Sequence, residues 1–402
     1  MRVFFSVGEP SGDLHGGNLI SALRERNADW QFVGYGGPRM AAAGCQLHAE
    51  LTQLAFMGVF RVLVHLREFL KLIARADAYF DRQRPDLVVL IDFPGFNWWV
   101  ARKAKARGIP VVYYGTPQLW AWASWRVRKM RSFVDHVLCK LPFEEAWFRK
   151  RGCHATFVGH PYFDELTSRR LDESFVARLN DAGAPMVTIL PGSRDQEIKN
   201  NLPTFLRAAG RIRQQVPNAR FAVAVYKASQ RDMVEHCVRR AESDVEVYVD
   251  CTAELIHTAT CCMACSGSVS LELLFHAKPS VILYRISRPW YFVQWMLRKV
   301  RYITLVNLLT ADDPFADRSA GIYAPDDPRD QHVLMPEYLT CSDRSAELAR
   351  HMVEWLTDEK SRSRVQGQLM DLKARVAHGG ASQRGAAYIS EIADGRSTVH
   401  AA

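Results

Sequence analysis

"VFFSVGEPSGDLHGGNLISAL", residues 3–23, contains the three parts of a ligand-binding α/β unit. An apolar strand, residues 3–7, leads into a glycine-rich turn, and a helical pattern begins at Asn18. This order is typical of doubly wound α/β folds. The turn nevertheless lacks the G-x-G-x-x-G spacing of dinucleotide-binding loops, and its carboxylates, Glu9 and Asp13, would repel a pyrophosphate. We therefore expect the loop to bind something other than a dinucleotide.

The alternation of strand and helix continues along the chain in two series. The first series has short apolar strands predicted at residues 2–7, 31–34, 87–92, 111–115, 136–139 and 155–158. A polar stretch, residues 166–184, precedes a second series with strands predicted at 186–190, 221–225, 245–249, 261–264 and 280–284. Near-continuous apolar strands are typical of parallel sheets covered on both faces. The predicted fold class is α/β, with two Rossmann-like doubly wound domains facing a central cleft, residues 1–165 and 185–365, and a helical tail, residues 366–402.

Composition limits the classes of function. The 402 residues carry a net charge of +9, which points to an anionic partner. No apolar run approaches the roughly 20 residues of a membrane-spanning helix, and the first apolar run is a strand, not a secretory signal. We therefore expect a cytoplasmic protein. The C-x-x-C at Cys262 and Cys265 lacks partner ligands at metal-site spacing, so we interpret it as part of a buried strand and expect no metal.

The second series opens with a candidate anion site, "TILPGSRDQEI", residues 188–198. A strand ends at Leu190, the turn that follows offers Ser193 and the cation of Arg194, and a helix comes next. Backbone N–H groups, a helix dipole and a guanidinium together favour a phosphate. The alternative is an ordinary capped helix with a solvated arginine.

A related loop occurs at "ACSGSVSLELL", residues 264–274. Ser266, Gly267 and Ser268 stand between a strand and a helix, and Glu272 on that helix could accept two sugar hydroxyls. Two such loops in one predicted domain suit the phosphates and the ribose of a nucleotide.

Motifs along nearly the whole chain resemble the lipid-A-disaccharide synthase family of sugar-nucleotide glycosyltransferases, which have the GT-B architecture. The matching stretches are "GEPSGDLHGG" (8–17), "GGPRMAAAGC" (36–45), "FMGVFRVL" (56–63), "IDFPGFN" (91–97), "TPQLWAWASWRVRKM" (116–130), "LPFEEAWFRKRG" (141–152), "FVGHP" (157–161), "LPGSRDQEI" (190–198), "CSGSVSLELL" (265–274), "YRIS" (284–287) and "VNLL" (306–309). The block at 116–130, with three tryptophans in a basic setting, is the most distinctive.

The resemblance implies a definite reaction in lipid A and lipopolysaccharide biosynthesis. The family transfers 2,3-diacylglucosamine from its UDP derivative to the 6-hydroxyl of 2,3-diacylglucosamine 1-phosphate, called lipid X. The products are UDP and a β-1,6-linked disaccharide 1-phosphate, so the anomeric centre inverts, and no metal or organic cofactor is expected. The resemblance also places Glu197 and Asn307 in the nucleotide-sugar site, with Tyr284 beside the uracil.

The loop at residues 8–17 is then expected to bind the acceptor, because carboxylates suit sugar hydroxyls. Gly8 and Gly12 would let the backbone turn tightly, while Glu9 and Ser11, together with Asp13, would supply polar contacts. A purely structural turn is the alternative.

Inverting transfer requires a base, and some relatives carry a second Asp where this chain has Gly95. Asp92 and Asp13 are the remaining candidates, and we prefer Asp92 because it ends a predicted strand. Asp92 could equally cap the following helix. His160 could orient a substrate or simply make a local hydrogen bond.

Substrates with acyl chains require a membrane-facing surface. Residues 56–76 place apolar side chains on a helical stripe flanked by Arg61, Arg67, Lys71 and Arg75, and we expect membrane contact from Phe60, Leu63, Leu66, Phe69 and Leu70. A core-facing helix is the rival interpretation. A second segment, residues 288–302, combines aromatic side chains with Arg298, Lys299 and Arg301. We expect peripheral binding to the inner face of the inner membrane and no nucleic-acid partner.

Three other functions remain open at this stage. A UDP-N-acetylglucosamine 2-epimerase-like enzyme would share the fold but needs no acyl-chain surface. A non-catalytic UDP-sugar or lipid-binding protein would fit the absence of a carboxylate at Gly95, and an NAD-linked oxidoreductase lacks its fingerprint here. We expect a monomer or a homodimer that exchanges C-terminal segments, in which the helical stretch 345–375 could take part.

Overall fold

A computed structural model of the chain describes residues 1–52, 66–181, 183–315, 323–324 and 327–395. It divides into two compact units: Met1–Thr167 together with the segment from His378 onward, and Ser168–Ala377. Each unit is built on one parallel sheet. The predicted α/β class with two Rossmann-like sheets is confirmed.

Unit 1 contains a seven-stranded sheet in the order β3-β2-β1-β4-β5-β6-β7. Its strands are β1 Arg2–Val7, β2 Gln31–Gly36, β3 Gln46–Glu50, β4 Leu87–Ile91, β5 Val111–Tyr114, β6 His136–Cys139 and β7 Ala155–Phe157. In the register, Val7 pairs with Ile91, Ile91 with Tyr114, and Tyr114 with Leu138. The loops that follow β1, β4, β5 and β6 therefore leave the sheet at one edge.

Helices connect these strands. They are α1 Pro10–Arg26, α2 Pro38–Ala42, α3 Leu66–Gln83, α4 Pro94–Lys105, α5 Leu119–Trp122, α6 Val127–Phe133, α7 Pro142–Arg149 and α8 Tyr162–Ser168, with a 3-10 turn at Ser124–Arg126. Amphipathic spacing decides which face each helix buries. In α3, for example, Phe69, Ile73, Ala76 and Phe80 recur at helical spacing and are buried.

Unit 2 contains a six-stranded parallel sheet in the order β10-β9-β8-β11-β12-β13. The strands are β8 Met186–Leu190, β9 Arg220–Val225, β10 Glu246–Val249, β11 Cys261–Cys265, β12 Ser280–Arg285 and β13 Glu337–Thr340. Leu190 pairs with Ala264, and Cys265 pairs with Leu283, so β8, β11 and β12 end side by side. The C-x-x-C cysteines lie buried in β11, as the strand interpretation expects.

The helices of unit 2 and of the C-terminal segment complete the chain. They are α9 Glu173–Asn180, α10 Asp195–Gln215, α11 Arg231–Arg240, α12 Thr252–Thr258, α13 Val269–Phe275, α14 Arg288–Leu297, α15 Leu305–Thr310, α16 Ser345–Thr357, α17 Glu359–Val376 and α18 Ala381–Ala393, with 3-10 turns at Ala228–Gln230 and Pro328–Asp330. None of the helices in the described ranges is both long and apolar enough to cross a bilayer.

The predicted C-terminal tail is divided between the units. Helix α17 belongs to unit 2, whereas α18 packs against α1 and contributes Ala386 and Ile389 to the core of unit 1. The Asp164 carboxylate accepts hydrogen bonds from the backbone N–H groups of Ala381 (3.0 Å) and Ser382 (2.8 Å), which fixes the start of α18. The last described helix therefore completes the first unit of its own chain.

Candidate active site

Three loops of unit 2 are joined by one buried amide on α10. Asn201 donates from Nδ2 to the carbonyl of Pro191 (3.2 Å) and contacts Sγ of Cys265 (3.2 Å), and its Oδ1 accepts from the N–H of Arg285 (2.9 Å). The residues it reaches follow or end strands β8, β11 and β12. Asn201 therefore holds the predicted nucleotide loops together. Sequence reasoning missed it, although a polar residue on the apolar face of α10, beside Leu202, was a usable signal.

The first loop turns its backbone donors inward. Glu197 Oε2 accepts hydrogen bonds from the N–H groups of Ser193 (3.0 Å) and Arg194 (3.2 Å), and Oε1 pairs with the Arg194 guanidinium (2.9 Å). Gly192 has φ +127°, and a Cβ there would lie 2.5 Å from Cβ of Glu197. Glu197 accepts both N–H groups in this structure, and the phosphate contact expected of the loop stays a prediction. Glu197 supports the loop from within.

What this loop presents outward is the Ser193 side chain and the Arg194 guanidinium, whose side chain is 77% exposed. Tyr284, at the end of β12, is half-buried beside them. Burial and, secondarily, the Glu197 carboxylate raise the pKa of Tyr284, so its hydroxyl stays protonated. The structure therefore places Tyr284 within electrostatic range of Glu197 and Arg194.

The second loop is open at its tip. Ser266 Oγ donates to the carbonyl of Ile303 (3.2 Å), which fixes the base of the loop. Gly267 and Ser268 are exposed, and no atom of the described residues lies within 4 Å of the position that a Cβ on Gly267 would take. The tip thus offers backbone groups and a hydroxyl to a ligand, and the expected substrate contact of Ser266 stays a prediction.

Glu272 is buried among the apolar residues of α13, and Oε1 pairs with Nη1 of Arg169 (2.5 Å). Because α13 turns this side chain toward the interior, its carboxylate compensates the charge of an arginine. The expected contact of Glu272 with sugar hydroxyls stays a prediction.

Asn307 is buried in a network of hydrogen bonds. Its amide is fully buried, donates to the carbonyl of Met335 (2.8 Å) and to Oε2 of Glu337 (2.9 Å), and accepts from the N–H of Met335 (3.1 Å). Glu337 also accepts from the N–H groups of Ile303 (2.7 Å) and Thr304 (3.0 Å), and burial raises its pKa to about 7. This network secures the segment beneath Ser266, and the expected nucleotide-sugar contact of Asn307 stays a prediction.

In unit 1, Asp92 follows β4 in a strained conformation. Asp92 has φ +46° and Phe93 has φ +43°, a left-handed region that non-glycine residues rarely adopt. The Asp92 carbonyl accepts hydrogen bonds from the Tyr113 hydroxyl (2.5 Å) and Asn97 Nδ2 (2.8 Å), and Asn97 also donates to the carbonyl of Ser6 (3.1 Å). These bonds hold the strained backbone in place.

The carboxylate of Asp92 is not a helix cap. Helix α4 begins at Pro94, its N-cap residue is Phe93, and no side chain caps it, so the capping interpretation is wrong. Oδ1 of Asp92 instead lies 3.3 Å from Nζ of Lys140, and the Asp92 side chain is 18% exposed. Lys140 was missed by sequence reasoning, although it directly follows β6 just as Asp92 follows β4.

The second candidate base, Asp13, serves as a cap. Its side chain is 4% exposed, and its oxygens accept from the N–H groups of Gly37 (2.9 Å), Arg39 (3.0 Å) and Met40 (3.0 Å). These N–H groups lie at the N-terminal end of α2, where the helix leaves them unpaired, so the carboxylate accepts their hydrogen bonds. Asp13 is therefore removed from the set of candidate bases.

The glycines of the opening loop permit close packing. Neither Gly8 nor Gly12 has positive φ, so the expectation of a glycine-dependent tight turn is wrong. A Cβ on Gly8 would overlap the ring of Phe93, and one on Gly12 would stand 2.9 Å from Val7 Cγ1 and 3.6 Å from Oδ2 of Asp92. Glu9 and Ser11, half-buried and exposed respectively, remain at the surface of the loop.

Two histidines lie near this edge. Nδ1 of His160 accepts from the N–H of Tyr162 (3.2 Å), which is the local hydrogen bond expected as the alternative to orienting a substrate. His15 is buried with Nδ1 unpartnered among the described residues, and burial lowers its pKa to about 4. Both rings are therefore neutral at pH 7.

The structure describes part of the first predicted membrane segment. Phe60 and Leu63 lie outside the described residues. Leu66 and Leu70 are exposed, but Phe69 is buried against Phe93 and Phe96, so its expected membrane contact is wrong.

Helix α14 has no buried residue. Trp290, Phe292 and Trp295 are exposed along it. Arg301, expected to be a surface cation, is buried and pairs with Asp330, because a bidentate carboxylate compensates its charge.

Comparisons with known proteins agree with the resemblance in the sequence motifs. The chain matches the family described as "Lipid-A-disaccharide synthetase" over residues 3–317. It is 32% identical to "Lipid-A-disaccharide synthase" of Myxococcus xanthus, covering 97% of this chain and 97% of the relative. The protein of the same name from Alkalilimnicola ehrlichii is 31% identical, with 97% and 98% covered.

Solved structures resemble the fold at low sequence identity. MnaA of S. aureus, in a co-structure with UDP, aligns with a TM-score of 0.64 at 11% identity, covering 98% of this chain and 96% of that one. The UDP-GlcNAc 2-epimerase of Neisseria meningitidis, bound to UDP-GlcNAc, gives 0.60 at 10%, with 98% and 100% covered. MurG of Acinetobacter baumannii gives 0.57 at 10%, with 97% and 99% covered.

Proposed function

The chain belongs to the lipid-A-disaccharide synthase family, and from that premise we propose how its two units share the reaction. The protein is a glycosyltransferase of lipid A biosynthesis. The donor that we propose is UDP-2,3-diacylglucosamine, and the acceptor is lipid X. Transfer to the 6-hydroxyl of lipid X would release UDP and form the β-1,6-linked disaccharide 1-phosphate.

An epimerase function is not favoured. The relatives that are 31–32% identical over 97% of this chain are named synthases, whereas the epimerase structures share only 10–11% identity and match in fold.

Unit 2 is the side that we assign to the nucleotide. The Arg194 guanidinium, the Ser193 hydroxyl and the open tip at Gly267 and Ser268 lie on the loops that Asn201 ties together. A guanidinium and hydroxyl donors can bind the diphosphate and stabilise the charge that develops on UDP as it departs. Tyr284, with a protonated hydroxyl, would border the uracil.

Unit 1 supplies the base, and one observation carries this assignment. Asp92 sits at the end of a parallel strand in a strained backbone whose carbonyl is held by Tyr113 and Asn97, while its carboxylate is left partly exposed. Strain at a strand end is a feature of functional loops. Asp92 would take the proton of the acceptor hydroxyl as that oxygen attacks the anomeric carbon.

The test is the kinetics of Asp92→Asn with UDP-2,3-diacylglucosamine and lipid X. Loss of a general base predicts a fall in kcat of about 100-fold or more, with KM for the donor near that of the wild type. Asp29→Asn, at an exposed carboxylate of the same unit, is the matched control and should retain activity. An Asp92→Asn enzyme within about threefold of wild-type kcat would refute the assignment.

Membrane binding follows from the nature of both substrates. We assign the contact with the inner face of the inner membrane to α14 and to the exposed Leu66 and Leu70. Trp290 and Trp295, 62% and 67% exposed, stand near Arg288 and Lys299, a combination suited to anionic headgroups.

Flotation with vesicles containing anionic phospholipid tests this surface. The double variant Trp290→Ser/Trp295→Ser should lose most of its vesicle binding while keeping its activity on detergent-dispersed substrates. Met370→Ser, at an equally exposed apolar residue of α17, is the control and should bind as the wild type does. Undiminished flotation of the double variant would exclude α14 from the membrane contact.

A further inference from the structure

Lys140 and Asp92 stand at matching positions of the unit 1 sheet. Each is the first residue after a strand, β6 and β4 respectively, and β5 lies between these strands. Nζ of Lys140 lies 3.3 Å from Oδ1 of Asp92, and the two side chains are only 14% and 18% exposed. An ion pair this shielded is less screened by water and salt than one on the open surface.

Lys140 is itself held in place by Glu144 on α7. Oε2 of this buried carboxylate accepts from the N–H groups of Lys140 (2.9 Å) and Leu141 (3.0 Å), and Oε1 accepts from Nε1 of Trp120 (2.8 Å). These hydrogen bonds fix the backbone of Lys140 relative to the sheet.

The surrounding charges keep Lys140 protonated. Burial alone would lower its pKa, but the carboxylates of Asp92 and Glu144, with a smaller contribution from Glu9, more than offset this and raise the pKa above its usual value. Other titratable groups near the pair are His15, Tyr113, Tyr114 and His160, and burial also raises the pKa of Tyr114. Burial lowers the pKa of both histidines and raises that of Tyr113, so these three groups are uncharged at pH 7.

We propose that Lys140 is a positioning residue of the transfer reaction, which holds Oδ1 of Asp92 and leaves Oδ2 to receive the proton of the acceptor hydroxyl. The proposal rests on Asp92 being the base. Oδ2 faces Gly12, where a Cβ would already stand 3.6 Å away, so the glycine keeps that oxygen approachable.

The proton balance requires nothing further. The acceptor hydroxyl gives its proton to Oδ2 of Asp92, its oxygen forms the new bond to the anomeric carbon, and the bond from that carbon to the diphosphate breaks as UDP leaves. Lys140 keeps its own proton throughout. Its ammonium group only fixes the orientation of the Asp92 carboxylate.

The test is the split between kcat and KM for Lys140→Met and Lys140→Arg. Loss of the ammonium group leaves Oδ1 of Asp92 unheld, so Lys140→Met should lower kcat by about tenfold or more while KM for the donor and for lipid X stays within about twofold of wild type. Lys140→Arg retains a cation and should keep kcat within about threefold of wild type. Lys150→Met, at an exposed lysine of the same unit, is the matched control and should leave both constants unchanged.

A kcat within about threefold of wild type in Lys140→Met would overturn the proposal, and so would a kcat in Lys140→Arg as low as that of Lys140→Met. A rise in KM for lipid X with an unchanged kcat would also overturn it, because Lys140 would then bind the acceptor. Thermal unfolding of each variant checks that kcat is measured on folded protein. An active Asp92→Asn enzyme would defeat the assignment of the base, whereas an inactive one with an unchanged kcat in Lys140→Met would defeat only the role of Lys140.

Discussion

The carboxyl edges of the two sheets are secured by the same device and expose opposite chemistry. In unit 1, buried Asn97 donates to the carbonyls of Ser6, Ile91 and Asp92, which lie in or directly after β1 and β4. In unit 2, buried Asn201 joins the loops after β8 and β11 to the end of β12. A single amide on the following helix thus organises each edge, because it can donate and accept at once.

The difference lies in how the carboxylates are used. In unit 2, Glu197 and Glu337 accept backbone N–H groups and Glu272 pairs with Arg169, so a guanidinium and hydroxyls remain at the surface. In unit 1, Asp13 is used as a cap, but Asp92 is held at a strained strand end with its carboxylate partly exposed. The carboxyl edge of the unit 2 sheet therefore suits an anion, and that of the unit 1 sheet suits a hydroxyl that must lose a proton.

Asn97→Ala and Asn201→Ala provide the sharpest test of this comparison. Each would leave several buried polar groups unpaired, at a cost of about 2–3 kcal/mol in the free energy of unfolding. Asn97→Ala should also lower kcat by about 100-fold because Asp92 loses its support, whereas Asn201→Ala should mainly raise KM for the donor. Steady-state kinetics and denaturant unfolding measure both effects, and identical kinetic profiles would remove the distinction between the edges.

The buried, neutral His15 predicts that unit 1 loses stability as the pH falls. Its pKa is about 4 in the folded protein against a usual value of 6.5, so the unfolded chain binds a proton first as the pH falls. The stabilisation is complete above pH 6.5 and is lost toward pH 4, by up to about 3 kcal/mol. His15→Leu should show a smaller loss of thermal stability over this range, and a loss equal to that of the wild type would show that His15 titrates normally.

Asp13→Asn separates the cap from the base. An amide retains only one acceptor oxygen for three N–H donors, so stability should fall by about 1–2 kcal/mol. The kcat of the folded enzyme should stay within about threefold of wild type, in contrast to Asp92→Asn. A loss of kcat as large as that of Asp92→Asn would return Asp13 to the set of candidate bases.

Arg194→Met should have the smallest effect. Its guanidinium is exposed and already paired with Glu197, so its loss should weaken UDP binding by about tenfold, or 1.4 kcal/mol. Calorimetric titration with UDP measures this change. Arg240→Met, at an exposed arginine of α11, should bind as the wild type does, and equal affinities for the two variants would exclude Arg194 from the diphosphate site.

Sequence patterns predicted the two sheets and the strand-end positions of Asp92, Ser193 and Ser268, because parallel strands place their carboxyl ends at one edge. They could not separate residues that reach outward from those that brace a loop. Asp13 and Glu197 have the same residue types as ligand-binding groups, and only the backbone around them shows that their oxygens are already occupied. Lys140 and Asn201 depend on contacts between distant segments, which spacing along the chain does not reveal.

A crystal structure of the protein with UDP would test the division of labour most directly. The diphosphate is predicted beside Arg194, Ser193 and Ser268, with the uracil next to Tyr284. A diphosphate bound instead at residues 8–17 or beside Asp92 would contradict the assignment of the nucleotide to unit 2.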